Sequence, residues 1–248
     1  MTQISDCCAA TASAHGRRNW LKASAGTVVA LAGFGLRSND AQAAALNKVQ
    51  RDAMTPDGVI AMMEKGNLRF RAGKMHPHDY VAQKRASAAG QYPAAVILSC
   101  IDSRAPAEII MDMGIGETFN ARIAGNVSNK DVLGSMEFAC AVSGAKVVLV
   151  MGHTGCGAIK GAIDKVELGN LTGLLDTIKP AVAATQYNDE RTSKNPKFVD
   201  LVARTNVLLT MDAIREGSPI LADLEKKGTI KIAGAMYDLS NGVVDFLN

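Results

Sequence analysis

Three short, nearly unbroken apolar runs constrain this chain more than any other feature. They are Ala94-Ala95-Val96-Ile97-Leu98-Ser99, Lys146-Val147-Val148-Leu149-Val150-Met151 and the stretch from Thr229 to Tyr237. They lack the polar alternation of a strand with one wet face, and they are short for a buried helix. Such runs predict strands covered on both faces, which belong to a parallel sheet between helical layers. Thr118 to Ile123 is a weaker strand candidate. Helical patterns fill the intervals, over about 79–89, 105–112, 130–143, 157–167, 171–187, 196–216 and 219–227. Thr55-Pro56-Asp57 reads as a helix start, with a capping hydroxyl, a proline at the first position and an acid in the first turn. Val59, Met62, Met63 and Phe70 share a face of that helix, which should end near Gly73. The expected fold class is α/β: a mainly parallel β-sheet flanked by helices, with an N-terminal helical arm over 55–90.

The first segment reads as an address. Arg17-Arg18-Asn19-Trp20-Leu21-Lys22 is followed by an apolar run, Ala23 to Leu36, of about 14 residues, short of the roughly 20 that span a bilayer. Ala41-Gln42-Ala43 then offers small residues to a signal peptidase. This pattern looks like a twin-arginine (Tat) export signal. It predicts removal of 1–43, a single domain over 44–248, passage through the Tat translocon, a periplasmic or otherwise exported location and no stable membrane insertion. Residues 1–43 hold four basic and two acidic side chains, so the chain's net charge of +3 becomes +1 after cleavage. That balance gives no electrostatic case for nucleic acid as a partner. The chain has five cysteines. Cys7 and Cys8 leave with the signal, and Cys100, Cys140 and Cys156 remain.

Two polar clusters follow the strongest strand candidates, where sites collect in open parallel sheets. The first is Cys100-Ile101-Asp102-Ser103-Arg104. The second is Gly152-His153-Thr154-Gly155-Cys156-Gly157. Two thiolates and an imidazole suit zinc, and three protein ligands leave a fourth position open. The glycines would let one turn aim His153 and Cys156 at the same ion. Asp102 and Arg104 are spaced to pair, since an arginine fork can hold a carboxylate at two points. The bland alternatives are a buried cysteine beside a core histidine, and a helix cap beside a surface arginine. His76 and His78 read as loop residues, and Cys140 as a small core side chain.

Cys-x-Asp-x-Arg followed by His-x-x-Cys resembles the zinc site of the β-class carbonic anhydrases. The likeness extends to Gly114–Asn126, Gly134–Ala139, Gly152–Ala162, Gly66–Phe70 and Gly234–Leu239, so it runs from about residue 55 to the end. It implies one Zn2+ per subunit on Cys100, His153 and Cys156. It also implies reversible hydration of CO2 to bicarbonate and a proton by zinc-bound hydroxide. Asp102 would accept a hydrogen bond from the metal-bound water, or become a fourth ligand in a closed state. Arg104 would hold Asp102 off the metal. By their places in the family pattern, Gln91, Phe119, Phe138 and Gly157 would contact substrate. Phe138 stands where many members carry tyrosine, so it has no hydroxyl to offer. Gln91 and the absence of tryptophan after residue 43 favour the open state. The resemblance also implies a homodimer or homotetramer with sites at a dimer interface. Two alternatives are a related zinc hydrolase acting on carbonyl sulfide or carbon disulfide, and a zinc-stabilised binding protein without turnover. Because two thiolates cancel the metal's charge, activity should rise with pH.

Overall fold

The computed structural model describes residues 45–247. The expected export signal lies outside the described residues. The chain enters through α1 (Lys48–Asp52), which lies ahead of the expected helical arm. It is short, and its place depends on Arg51, a buried guanidinium that donates to the Ser143 carbonyl. The expected arm helix follows as α2 (Pro56–Arg71), with Thr55 Oγ1 accepting from the Gly58 N–H. Next comes α3 (Tyr80–Ser87), capped by Asp79.

Five strands then build one sheet: β1 (Ala95–Ser99), β2 (Thr118–Arg122), β3 (Val147–His153), β4 (Lys231–Tyr237) and β5 (Val244–Leu247). Their order is β2-β1-β3-β4-β5, parallel except for β5, which runs antiparallel at one edge. Every residue of β1 and β3 is buried, as their unbroken apolar sequences require. The helices between strands are α4 (Ala107–Ile110) after β1, α5 (Lys130–Glu137) before β3, and α6 (Gly157–Ile163), α7 (Gly169–Asp176), α8 (Lys179–Ala184), α9 (Pro196–Gly217) and α10 (Pro219–Lys226) before β4. No helix among the described residues is long and apolar enough to cross a membrane.

Alternate residues of the central strands feed two cores. Val96, Leu98, Val148 and Val150 pack with Phe198, Val202 and Val207 of α9. Ala95, Ile97, Leu149 and Met151 pack with Val59 and Met63 of α2 and Ile110 of α4. The arm therefore covers one face of the sheet together with α4. It is also tied down by charge: Asp112, fully buried, accepts from Arg69 Nε and the His76 N–H and pairs with His78 Nε2 at 2.9 Å. Burial would push that carboxyl up, but Arg69, the His76 N–H and His78 outweigh it and hold the group below the usual range.

Three expectations need correction. The helix expected over 171–187 is two helices, α7 and α8. Pro180 sits in the first turn of α8, where its missing N–H costs nothing, and it cannot continue α7 through that point. The segment 130–143 begins as α5 but closes as a π-helical turn, Phe138–Val142. The 105–112 helix shrinks to the single turn of α4.

Candidate metal centre

In the register of the sheet, Ser99 stands opposite Met151. Cys100 thus leaves β1 next to the point where His153 ends β3, at the same carboxyl edge. Cys156 follows after a tight turn and caps α6. Of the three glycines near that turn, only Gly155 takes a left-handed conformation, with φ of +64°. Gly152 lies within β3, and Gly157 opens α6 as an exposed residue.

Cys100, His153 and Cys156 are all buried, and their donor atoms lie within 4.8 Å of one another. The two sulfurs are 3.9 Å apart, too far for a disulfide. They match the roughly 3.8 Å that two thiolates span on a tetrahedral zinc with Zn–S of about 2.3 Å. His153 Nε2 is buried without a hydrogen-bond partner. Such an orphaned nitrogen beside two sulfurs fits a metal ligand set. The acid–base balance of the thiols agrees. The hydrogen bond from Cys156 draws the Cys100 thiol well below the usual thiol range, against burial, with His153 assisting. The same bond, together with burial, pushes Cys156 up. Ionising both thiols in this buried space requires a cation between them. At His153, burial is outweighed by the neighbouring Cys100 sulfur, and its pKa rises.

The backbone around Cys100 is held from two sides. The Gly125 N–H points at Cys100 Sγ, 3.4 Å away. Arg122 at the end of β2 donates from Nε to the Cys100 carbonyl at 3.0 Å and from Nη2 to the Asp102 carbonyl. Neither role was foreseen from sequence. Gly125 has φ of +71°, and a Cβ there would sit 2.6 Å from Ile178 Cδ1.

Asp102 stands beside this set, its Oδ2 3.8 Å from His153 Nε2. The Arg104 fork holds its carboxyl well below the usual carboxylate range, against partial burial, and the Arg104 backbone N–H assists. The other expected site residues are more scattered. Phe119 and Phe138 meet edge to face, with ring centroids 6.1 Å apart. Together with Asn120, Lys130 and Ser135 they line a cavity of about 610 Å3, which none of the three metal donors lines. Gln91 is exposed and precedes β1, whereas Cys100 follows it. Five residues at about 3.3 Å each put roughly 16 Å of strand between the two.

The comparisons agree with this geometry. Residues 95–244 match the family model described as "Carbonic anhydrase". The chain belongs to the carbonic anhydrase family. Among relatives, Carbonic anhydrase 2 of Mycobacterium tuberculosis is 34% identical over 186 residues, which is 73% of this chain and 87% of that one. The Coccomyxa β-carbonic anhydrase solved with acetazolamide is 25% identical, with a TM-score of 0.59 over 66% of this chain and 75% of that one. A tetrameric β-carbonic anhydrase of Sordaria macrospora shares the fold, at 24% identity and a TM-score of 0.57 over 65% of this chain and 83% of that one. Within the family, this chain's mostly parallel sheet and two-cysteine, one-histidine donor set place it in the β class.

Proposed function

We propose that this chain catalyses the reversible hydration of CO2 to bicarbonate and a proton, with Cys100, His153 and Cys156 holding zinc. The observation that carries this reading is the buried donor set with a clamped carboxylate beside it. Zinc, when bound, supplies Lewis acidity that lets water lose a proton near neutral pH. Asp102 does the rest of the acid–base work at this end of the sheet. Ionised by Arg104, it can only accept, so a reacting water donates to it and turns a lone pair toward carbon. Arg104 keeps the carboxylate facing that water and away from the ligands. The Gly157 N–H, first in α6 and without a partner inside the helix, is free to meet a substrate oxygen. Phe119 lies opposite Val96, four residues before Cys100, so it and Phe138 give CO2 an apolar wall only across an interface.

A second copy of the chain completes this reading. Gln91 lies at the wrong end of β1 to serve its own Cys100, so it reaches a site only across an interface. Ile101, beside Cys100, and Phe138 are 61% and 50% exposed, large apolar side chains that an interface would cover. Analytical ultracentrifugation should find a dimer or tetramer, and a monomer with full activity would refute the shared site.

Residues 1–43 act as a Tat-type signal in this reading, taking the folded protein to the periplasm. The route suits the ligands, because zinc occupies both thiols before the chain meets an oxidising compartment. N-terminal sequencing of the exported form tests this, and a start before residue 38 would remove it. The reading for carbonyl sulfide or carbon disulfide, and the one without turnover, have no residue of their own in support. A CO2 hydration assay run beside a carbonyl sulfide assay separates the first, and only the former should report turnover at a high rate.

A further inference from the structure

The peptide group joining Thr154 to Gly155, inside the metal turn, is held at both ends. Its carbonyl oxygen lies 3.0 Å from His153 Nδ1. Its N–H donates to Asp200 Oδ1 at 2.8 Å. A carbonyl oxygen only accepts, so Nδ1 carries the ring proton and Nε2 keeps its lone pair. A single hydrogen-bonded chain therefore runs from the Asp200 carboxylate through one amide to the imidazole, and ends on the orphaned Nε2.

The geometry points to Asp200 as a positioning residue for His153, acting through the Thr154–Gly155 peptide; this rests on the zinc reading above. Histidines that bind metals usually give their second N–H to a carboxylate or a carbonyl, which fixes the tautomer and raises ligand basicity. Here the carbonyl is itself backed by a carboxylate. A negative charge on the amide N–H polarises the amide and makes its oxygen the stronger acceptor. No side-chain packing at Gly155 holds this peptide: a Cβ there would meet nothing within 4 Å, and its φ is left-handed. The preceding residue is fixed separately. The Thr154 N–H donates to the Tyr237 carbonyl, and Thr154 Oγ1 accepts from the Leu239 N–H. Asp200 comes from α9, packed on β3 and β4, and carries a carboxylate from the long helix to the metal turn. Asp200, Thr154 and Gly155 line a cleft of about 420 Å3 on the side of the turn that faces Asp238 and Ser240. Asp200 touches no substrate in this scheme.

The test follows zinc transfer from the loaded full-length protein to a chromophoric chelator, together with the visible spectrum of the cobalt-substituted protein. Asp200→Ala should release zinc at least about tenfold faster and shift the cobalt bands. Asp200→Asn keeps an oxygen acceptor without the charge and should fall between Ala and the parent. Val199→Ala, in the same helix turn and fully buried, should lower the melting temperature without speeding release. An Ala variant with the parent's release rate and cobalt spectrum would overturn the role. So would a Val199→Ala variant that loses zinc as fast. A parent that holds no zinc at Cys100, His153 and Cys156 removes the metal reading and this role together, whereas a zinc-loaded parent with an indifferent Ala variant removes only this role.

Discussion

Arg104 holds Asp102 by three donors at once: Nε to Oδ1 at 3.0 Å, Nη2 to Oδ2 at 2.8 Å, and its own backbone N–H to Oδ1 at 2.9 Å. The fork fixes the carboxylate's plane as well as its charge. Replacing Asp102 with Ala should leave zinc content unchanged and lower kcat by about 10²- to 10⁴-fold, the range for a positioned acid–base group. Replacing Arg104 with Ala should also keep zinc but free the carboxylate, with a smaller loss. Metal analysis and stopped-flow hydration assays on both variants check this. Full activity in Asp102→Ala would refute the role.

Acid stability should depend on Asp112. Its carboxyl is depressed in the folded chain, so its contribution is fully present above the unfolded value of about 3.9 and fades as pH falls through the folded value. Asp112→Asn removes one partner of a buried ion pair and should cost about 3 to 5 kcal/mol near neutral pH. Below about pH 4 the difference between variant and parent should narrow. Urea unfolding at pH 7, 5 and 3 measures it, and a pH-independent difference would contradict the sign.

The three described cysteines should react differently. Burial pushes the Cys140 thiol up to about 12, so it stays protonated at working pH. Cys100 is drawn down by the hydrogen bond from Cys156. Iodoacetamide at pH 6.5, mapped by mass spectrometry, should label Cys100 after chelation and not in the zinc-loaded protein. Cys140 should resist in both until the chain unfolds. Labelling of Cys140 ahead of Cys100 would contradict the assignment.

Gly125 should not tolerate a methyl group. Gly125→Ala places Cβ 2.6 Å from Ile178 Cδ1 on a left-handed backbone, and moves the N–H that faces Cys100 Sγ. Overpacking and backbone strain together should cost at least about 2 kcal/mol by denaturant titration. Zinc retention should fall with it.

The buried strands and the metal donors were the legible parts of this chain, for one reason. β1 and β3 are apolar throughout because both faces are covered, and each ends in a polar residue that such a strand would not otherwise carry. Elements fixed by partners distant in sequence were not legible. β5 is four residues at the sheet edge, and its pairing with β4 rather than its own pattern makes it a strand. The break between α7 and α8 was hidden because Pro180 suits a helix start as readily as a helix end. Asp200 gave no signal at all: it lies 45 residues beyond Gly155, on a helix whose pattern reads only as core packing. Arg122 was visible as a charged residue in a strand, but its hold on the Cys100 and Asp102 carbonyls depends on β2 lying beside β1.

The central claim is that CO2 hydration runs on zinc at Cys100, His153 and Cys156. Stopped-flow hydration, measured on the zinc-loaded protein, after chelation, and after zinc is added back, tests it most directly. The account predicts one zinc per chain, loss of activity in step with zinc, recovery on restoring one equivalent, and a rate that rises with pH. Undiminished hydration by the zinc-free protein, or by a His153→Ala variant without zinc, would contradict it.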